Sequence, residues 1–406
     1  MRIALTADGT RGDVHPMLAL ARSLARRGHE VVFCGPPDFA ADAAARGVAF
    51  RPVGVSVRGY LEAKASLLHG GALASLRAGQ RYMQEHLERS FRELAAAVER
   101  ADFVLAAGVQ LAAASIAELR GARFRMVLYC PSLLRSRHQT PFVVPRGELP
   151  AWANRGAWRL IEAFVGATLG RAVDRERARL GLAPARDLYG LFIGTRPALA
   201  AEALLAPAPH DLAGELVPLG CLHPFEPEPL DPKLEDFLAA GEPPVYVGFG
   251  SMTDPDPASA TRIVLEAVER AGVRAVLSRG WAGLGGAALP ADVHEIGPAS
   301  HAALFPRMAA VVHHGGAGTT TTAARAGVPQ LLVPHIADQF HWAHRVQRLG
   351  LGPPALPRRG LGAERLADAL RSLRDNELLL ERCAELGARL RADLAARPDP
   401  AELVLA

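Results

Sequence analysis

The chain has 406 residues, 50% hydrophobic and 22% charged, and 46 basic against 42 acidic side chains leave a net charge of +4. That length predicts two or three domains, each able to bury its own core, with the composition of an ordinary globular protein. So small a net charge, with no Lys/Arg block interleaved with aromatics, argues against nucleic acid as a partner.

Strand and helix alternate from the start. Residues 3–7 form an apolar strand, 8–13 a Gly/Asp turn, and 17–27 carry helical spacing up to a C-capping Gly28. Residues 31–34 are a second strand, and 103–107 and 124–129 read as further buried ones. Strands separated by helices predict a parallel sheet covered on both faces. Two helical insertions, 59–100 and 152–180, either line a cleft or simply pack. The Pro-rich stretch 218–244, with Pro224, Pro227, Pro229 and Pro232, reads as a stiff, extended linker. Alternation then restarts, with strands at 245–249, 274–277, 293–296, 309–313 and 330–333 and helices at 258–271 and 319–326. The expected architecture is α/β, with two doubly wound Rossmann-like domains facing a central cleft. Its parts are an N-terminal domain over 1–217, a linker over 218–244, a C-terminal domain over 245–377, and terminal helices over 378–406.

Four motifs fall where ligands bind in such folds. In Gly9-Thr10-Arg11-Gly12-Asp13-Val14-His15-Pro16, Asp13 reads either as a general base at the sheet's carboxyl edge or as a cap of the helix that follows. His15 has the same two readings. Phe249-Gly250-Ser251-Met252-Thr253 offers hydroxyls to a phosphate, and the Asp254-Pro255-Asp256 after it reads as a capping turn rather than a metal site. His313-His314-Gly315-Gly316-Ala317-Gly318-Thr319-Thr320 joins a strand to a helix start, where unpaired N–H groups and the helix dipole suit phosphate oxygens. It is neither a dinucleotide fingerprint nor a P-loop. His313 reads as a core histidine and His314 as the ligand-facing one. Asp338 and Gln339 open a further helix on the same cleft, suited to sugar hydroxyls. His341, His344 and His335 nearby read as packing rather than as a metal cluster.

Together these motifs resemble the UDP-glycosyltransferase superfamily with the GT-B fold, nearest to the branch of sterol glucosyltransferases and actinobacterial antibiotic glycosyltransferases. The resemblance spans nearly the whole chain and is weakest from Gly59 to Glu202, which shapes the acceptor pocket in that family. It implies that Asp13 activates the acceptor hydroxyl, a place where other members carry histidine. His314, Gly316, Gly318 and Thr319 match the diphosphate-binding turn, Ser251 a second phosphate contact, and Asp338 and Gln339 the donor-sugar pair. Trp281 and the segment 297–301, including His301, match the nucleoside site. His15 departs from the Glu, Gln or Asn of close relatives, leaving His15 and Asp338 as other candidates for the base.

The implied activity is inverting, metal-independent transfer of glucose or a deoxysugar from a UDP- or dTDP-sugar to a hydroxyl of a hydrophobic small molecule such as a polyketide, macrolide, terpenoid or lipid. Trp342 leans toward the UDP-glucose branch. No cofactor is expected beyond the nucleotide-sugar co-substrate. The alternatives are an epimerase of the same fold or a non-catalytic helper that binds nucleotide sugars. Partners reduce to donor and acceptor, with the chain a monomer or homodimer. Four scattered cysteines without a CxxC pair, no signal peptide and no apolar run of the ~20 residues that cross a bilayer suggest a cytoplasmic protein. Peripheral membrane contact stays open.

Overall fold

In the computed structural model, which describes residues 1–63, 72–145, 148–222, 227–254, 256–286 and 289–406, the apolar strand runs assemble into two parallel sheets. Pro224 of the expected linker, Pro255, and residues 64–71 of the first helical insertion lie outside the described residues.

The first sheet contains β1 (Arg2–Asp8), β2 (Glu30–Gly35), β3 (Phe50–Pro52), β4 (Phe103–Gly108), β5 (Arg123–Leu128), β6 (Ala198–Leu199) and β7 (Val217–Pro218). Their order is β3-β2-β1-β4-β5-β6-β7, every pair parallel. Ile3 to Ala7 are buried on both faces, as a strand with helices above and below requires. The second sheet contains β8 (Val245–Gly248), β9 (Ala275–Ser278), β10 (Val293–Ile296), β11 (Ala310–His313) and β12 (Gln330–Leu332), in the parallel order β10-β9-β8-β11-β12.

In each sheet the order reverses at its first strand. β1 lies between β2 and β4, and β8 lies between β9 and β11. Ligands of doubly wound sheets bind at this switch point, outside the carboxyl ends of the strands. Asp8 to Asp13 therefore leave β1, and Phe249 to Ser251 leave β8, at the two places where binding is favoured.

The stretch 218–244 is not extended throughout. Val217–Pro218 is the last strand of the first sheet, and Pro232–Ala239 is a helix. Asp231 caps that helix by accepting from the Lys233 N–H at 2.9 Å, Pro232 supplies its first turn, and Leu234 and Leu238 pack with Tyr246 and Val276. An Asp-Pro pair followed by apolar residues four apart favours a helix start over an extended linker. At the other end of the chain, Ala401 and Val404 join the core of the first sheet. Asp399 accepts from Ser23 at 3.0 Å and from Arg27 at 3.0 Å on the first helix. No described helix is long and apolar enough to cross a membrane.

Candidate active site

At the end of β1 the chain turns at Gly9, and helix Arg11–Arg26 starts with Thr10 as its N-cap. Asp13, in the first turn, accepts the Thr10 N–H on Oδ2 at 2.8 Å. A Cβ on Gly9 would collide with that same oxygen, so only glycine lets the turn close over the carboxylate. Capping and catalysis are not exclusive here. Oδ2 caps the helix, while Oδ1 makes no hydrogen bond among the described residues. Burial pushes the Asp13 carboxyl up to about 7; the Thr10 bond opposes this, and Asp338 and Asp8 add to it by charge repulsion. A carboxylate so poised changes protonation near neutral pH, as a general base should.

His15 turns elsewhere. Its Nε2 lies 3.2 Å from Asp42 Oδ2 and its ring meets Phe39 edge-on at 5.8 Å. Desolvation is the main reason its pKa falls below the ordinary histidine value. Two residues that the sequence did not single out stand by Asp13 instead. Asp8 Oδ1 accepts from the Tyr82 hydroxyl at 2.7 Å, and the Tyr129 hydroxyl donates to the Asp13 carbonyl at 2.8 Å.

Across the cleft, β11 delivers His313 to the sheet and His314 to the turn. His313 is fully buried. Its Nδ1 accepts the Gly315 N–H at 3.1 Å and its Nε2 lies 2.9 Å from Gln330 Oε1, so both ring nitrogens are satisfied within the core. The His314 ring sits between Gly250 and Gly316. A Cβ at either position would lie 2.9 Å from its Cε1 or 2.6 Å from its Nε2. Its buried Nδ1 finds no hydrogen-bond partner among the described residues. Desolvation, then His313, His335 and His301, hold its pKa well below the usual range, so at neutral pH it is an uncharged ring.

Helix Ala317–Ala326 begins at Gly316, with an exposed Gly318 and a half-buried Thr319 in its first turn. The Thr320 and Thr322 hydroxyls donate to the carbonyls of Gly316 and Gly318 one turn back, at 2.9 and 2.8 Å. Thr319 makes no such bond among the described residues, so its hydroxyl stays available beside the helix N-terminus. Ser251 lies beyond Gly250, nearly buried. The Trp281 N–H donates to Gly250 O at 2.9 Å, which ties the 280–281 loop to the same turn. His301 is committed to packing on one side. It stacks on Phe305 at 4.4 Å, its Nε2 meets the Tyr246 hydroxyl at 3.2 Å, and burial pushes its pKa down to about 4.

Asp338 and Gln339 open helix Gln339–Arg348 but play different parts. Ala337 before them has φ 52°, uncommon for a residue with a side chain and found mainly where surroundings enforce it. Asp338 Oδ2 accepts from Trp342 Nε1 at 3.2 Å, and burial raises its carboxyl to about 6. Gln339 is buried, and its Oε1 accepts the N–H groups of His335 and Ile336 at 2.7 and 3.1 Å. Two backbone donors fix that oxygen, so the amide NH2 points the other way, 3.2 Å from Met252 Sδ. In this structure Gln339 joins the 335–336 loop to the loop after β8.

The remaining candidates have structural partners. Asp254 pairs with Arg358 at 2.7 Å, and Asp256 caps helix Pro257–Ala271 through the Ser259 N–H at 3.0 Å. His341 Nδ1 reaches Gln139 of the first domain at 3.2 Å, and His344 faces Glu148 at 3.5 Å. A groove of about 1540 Å3, lined by Val245, Arg274, Ala309 and Val328, opens at the opposite edge of the second sheet and holds none of these residues.

Residues 3–132 match the glycosyltransferase family 28 N-terminal domain, and residues 275–406 match the erythromycin biosynthesis protein CIII-like C-terminal domain. Glycosyltransferase GtfE of Amycolatopsis orientalis is 40% identical over 362 residues, covering 87% of this chain and 85% of that protein. The vancomycin aglycone glucosyltransferase of the same organism is 38% identical over 367 residues with the same coverage. A sterol 3-beta-glucosyltransferase of Arabidopsis thaliana is 30% identical over 404 residues, 93% of this chain and 64% of that protein. Among solved structures, the glycotransferase of kitacinnamycin superposes with a TM-score of 0.74 at 20% identity, covering 96% of this chain and 95% of that one. Glycosyltransferase VinC in complex with dTDP gives 0.71 at 22% identity over 100% and 98%. Likeness at that level of identity shows the fold, which is GT-B.

Proposed function

The chain belongs to the GT-B glycosyltransferases, and from that premise we propose that it moves a hexosyl or deoxyhexosyl group from a UDP- or dTDP-sugar to a hydroxyl of a natural-product aglycone, inverting the anomeric centre without a bound metal. One observation carries the reading. Asp13, in the first turn of the helix after β1, and Asp338, beside the glycine turn, lie close enough across the cleft for the charge of Asp338 to raise the Asp13 pKa. That proximity supports a base and a leaving-group cradle within one site.

The ionised Asp13 Oδ1 takes the proton of the acceptor hydroxyl while the oxygen forms its bond to the anomeric carbon. The bond from that carbon to the diphosphate breaks on the opposite face, and its electron pair leaves with the diphosphate. The growing charge meets the open N–H groups at the start of helix Ala317–Ala326, the helix dipole, the Thr319 hydroxyl and the neutral His314 ring. Asp338 faces the sugar. His15, held by Asp42, supports the base helix rather than replacing the base.

The names of the relatives support an aglycone as acceptor, and the dTDP bound to VinC supports a thymidine nucleotide beside UDP as donor. Incubation with UDP-glucose and dTDP-sugars and a panel of aglycones, followed by mass spectrometry, tests the reading. A product heavier by one sugar, with the opposite anomeric configuration and undiminished by a chelator, is the expected result. A changed nucleotide sugar with no transfer would point to an epimerase. Donor binding with neither product would point to a non-catalytic binder.

A further inference from the structure

We propose that Asp8 is a positioning residue for the transfer: held by Tyr82 at the end of β1, its carboxylate sets the field in which Asp13 receives the acceptor proton. This rests on the reading of Asp13 as the base.

Asp8 is the last residue of β1 and directly precedes Gly9, the glycine over which the Asp13 carboxylate lies. Its backbone is fixed as well as its side chain. Gly108 of β4 packs against the Asp8 carbonyl so closely that a Cβ there would collide with it, and the Val109 N–H donates to that carbonyl at 2.9 Å. Tyr82, on helix Ala72–Ala97, donates its hydroxyl to Asp8 Oδ1 at 2.7 Å. The Tyr82 ring is in turn wedged edge-on between Tyr60 at 4.8 Å and His86 at 4.9 Å. The link ties a helix of the acceptor domain to the catalytic turn.

The groups that face this pair are Asp338 and the Thr10 hydroxyl toward Asp13, Tyr129 at the Asp13 carbonyl, and Tyr60, His86 and Asp38 toward Tyr82. Burial lowers the His86 pKa, which favours its uncharged ring, and no Lys or Arg stands among these groups in the described residues. A phenol that donates to a carboxylate favours its ionised form, and a neighbouring anion disfavours ionisation of the next carboxylate. Ionised Asp8 therefore makes Asp13 the stronger base. Burial places Asp8 itself near 6, so it is half ionised there and mostly ionised by pH 7, where Asp13 titrates.

The test is the pH profile of kcat/KM for Asp8→Asn and Tyr82→Phe, with the melting temperature of each variant measured alongside. Loss of the Asp8 charge lowers the Asp13 pKa, so the acid limb moves down by about half a pH unit. Activity at pH 6, relative to each enzyme's own plateau, then rises about 1.5-fold, because Asp8 is half ionised there in the parent, while the plateau falls because the base is weaker. Tyr82→Phe keeps the ring packing and should shift the limb in the same direction by less. A limb that stays in place in a folded variant, or moves up, overturns the proposal and leaves Asp8 a structural residue. If Asp13→Asn retains full transfer, the reading of the base has failed instead.

Discussion

At Asp13 one oxygen caps the first helix while the other makes no hydrogen bond among the described residues, and the ionised form is held at a disadvantage by burial and by Asp338 and Asp8. The same displacement governs stability. A carboxyl whose folded-state pKa lies above its unfolded value stabilises the fold fully below the unfolded value, near 4, and loses that contribution as pH rises through the folded one. For Asp13, Asp8 and Asp338 this window runs from about 4 to about 6 or 7. Asp338→Asn should therefore melt higher than the parent at pH 8, with the difference vanishing near pH 4. An equal gap at both values would show that Asp338 is not held out of its ordinary range. His314 is the second residue to probe. Its ring is uncharged and its Nδ1 has no partner among the described residues, which suits the proposed contact with a ligand. His314→Ala should weaken binding of free UDP or dTDP about tenfold, the value of one hydrogen bond to a charged partner. Unchanged affinity by calorimetry would remove it from the phosphate site.

The glycine turn works as an element because two glycines make room for one imidazole. An alanine at 316 would put its Cβ 2.6 Å from His314 Nε2, and one at 250 would lie 2.9 Å from Cε1. Gly316→Ala should thus push the ring out of place and cost donor affinity while the melting temperature changes little. A large loss of stability with normal donor binding would show that the turn serves packing instead. This element was legible in the sequence because its signal is local: an apolar run, three glycines in four residues, then hydroxyls. The split between His313 and His314 followed from strand alternation. Other parts were not local. Tyr82 lies 74 residues from Asp8, in an insertion whose amphipathic pattern does not say which side chain reaches the sheet edge. Gln339 is adjacent to Asp338, yet its direction depends on the two backbone donors at 335 and 336, which no spacing rule reveals. The helix at Pro232–Ala239 could have been read from its Asp-Pro start, but the density of prolines around it favoured an extended linker.

Across the whole molecule the two sheets meet around a buried charge centre. Glu202, which is fully buried, follows β6 and pairs with Arg325 of the donor-side helix and with Arg397 after the long C-terminal helix; it also accepts the Cys221 N–H at 3.2 Å. Arg325 sits in the last turn of the same helix whose first turn is the proposed phosphate cradle, so this helix runs from the glycine turn to the domain junction. Gln139 to His341, the Arg345 guanidinium to Leu205 O at 2.6 Å, and Glu148 to Arg348 at 2.6 Å line the same junction. Removing one member of a buried ion cluster strands the others, and Glu202→Ala should lower stability by about 3–5 kcal/mol. Unfolding by urea checks this, and a loss under ~1 kcal/mol would show that water already reaches the centre.

The most direct measurement is a comparison of Asp13→Asn with the parent enzyme, in sugar transfer and in calorimetric binding of UDP or dTDP. The amide keeps the shape and the oxygen that caps the helix but cannot take a proton. Transfer should fall by about 10²–10⁴-fold with nucleotide affinity unchanged. Transfer at the parent rate would contradict the account at its centre and move the base to Asp338 or His15.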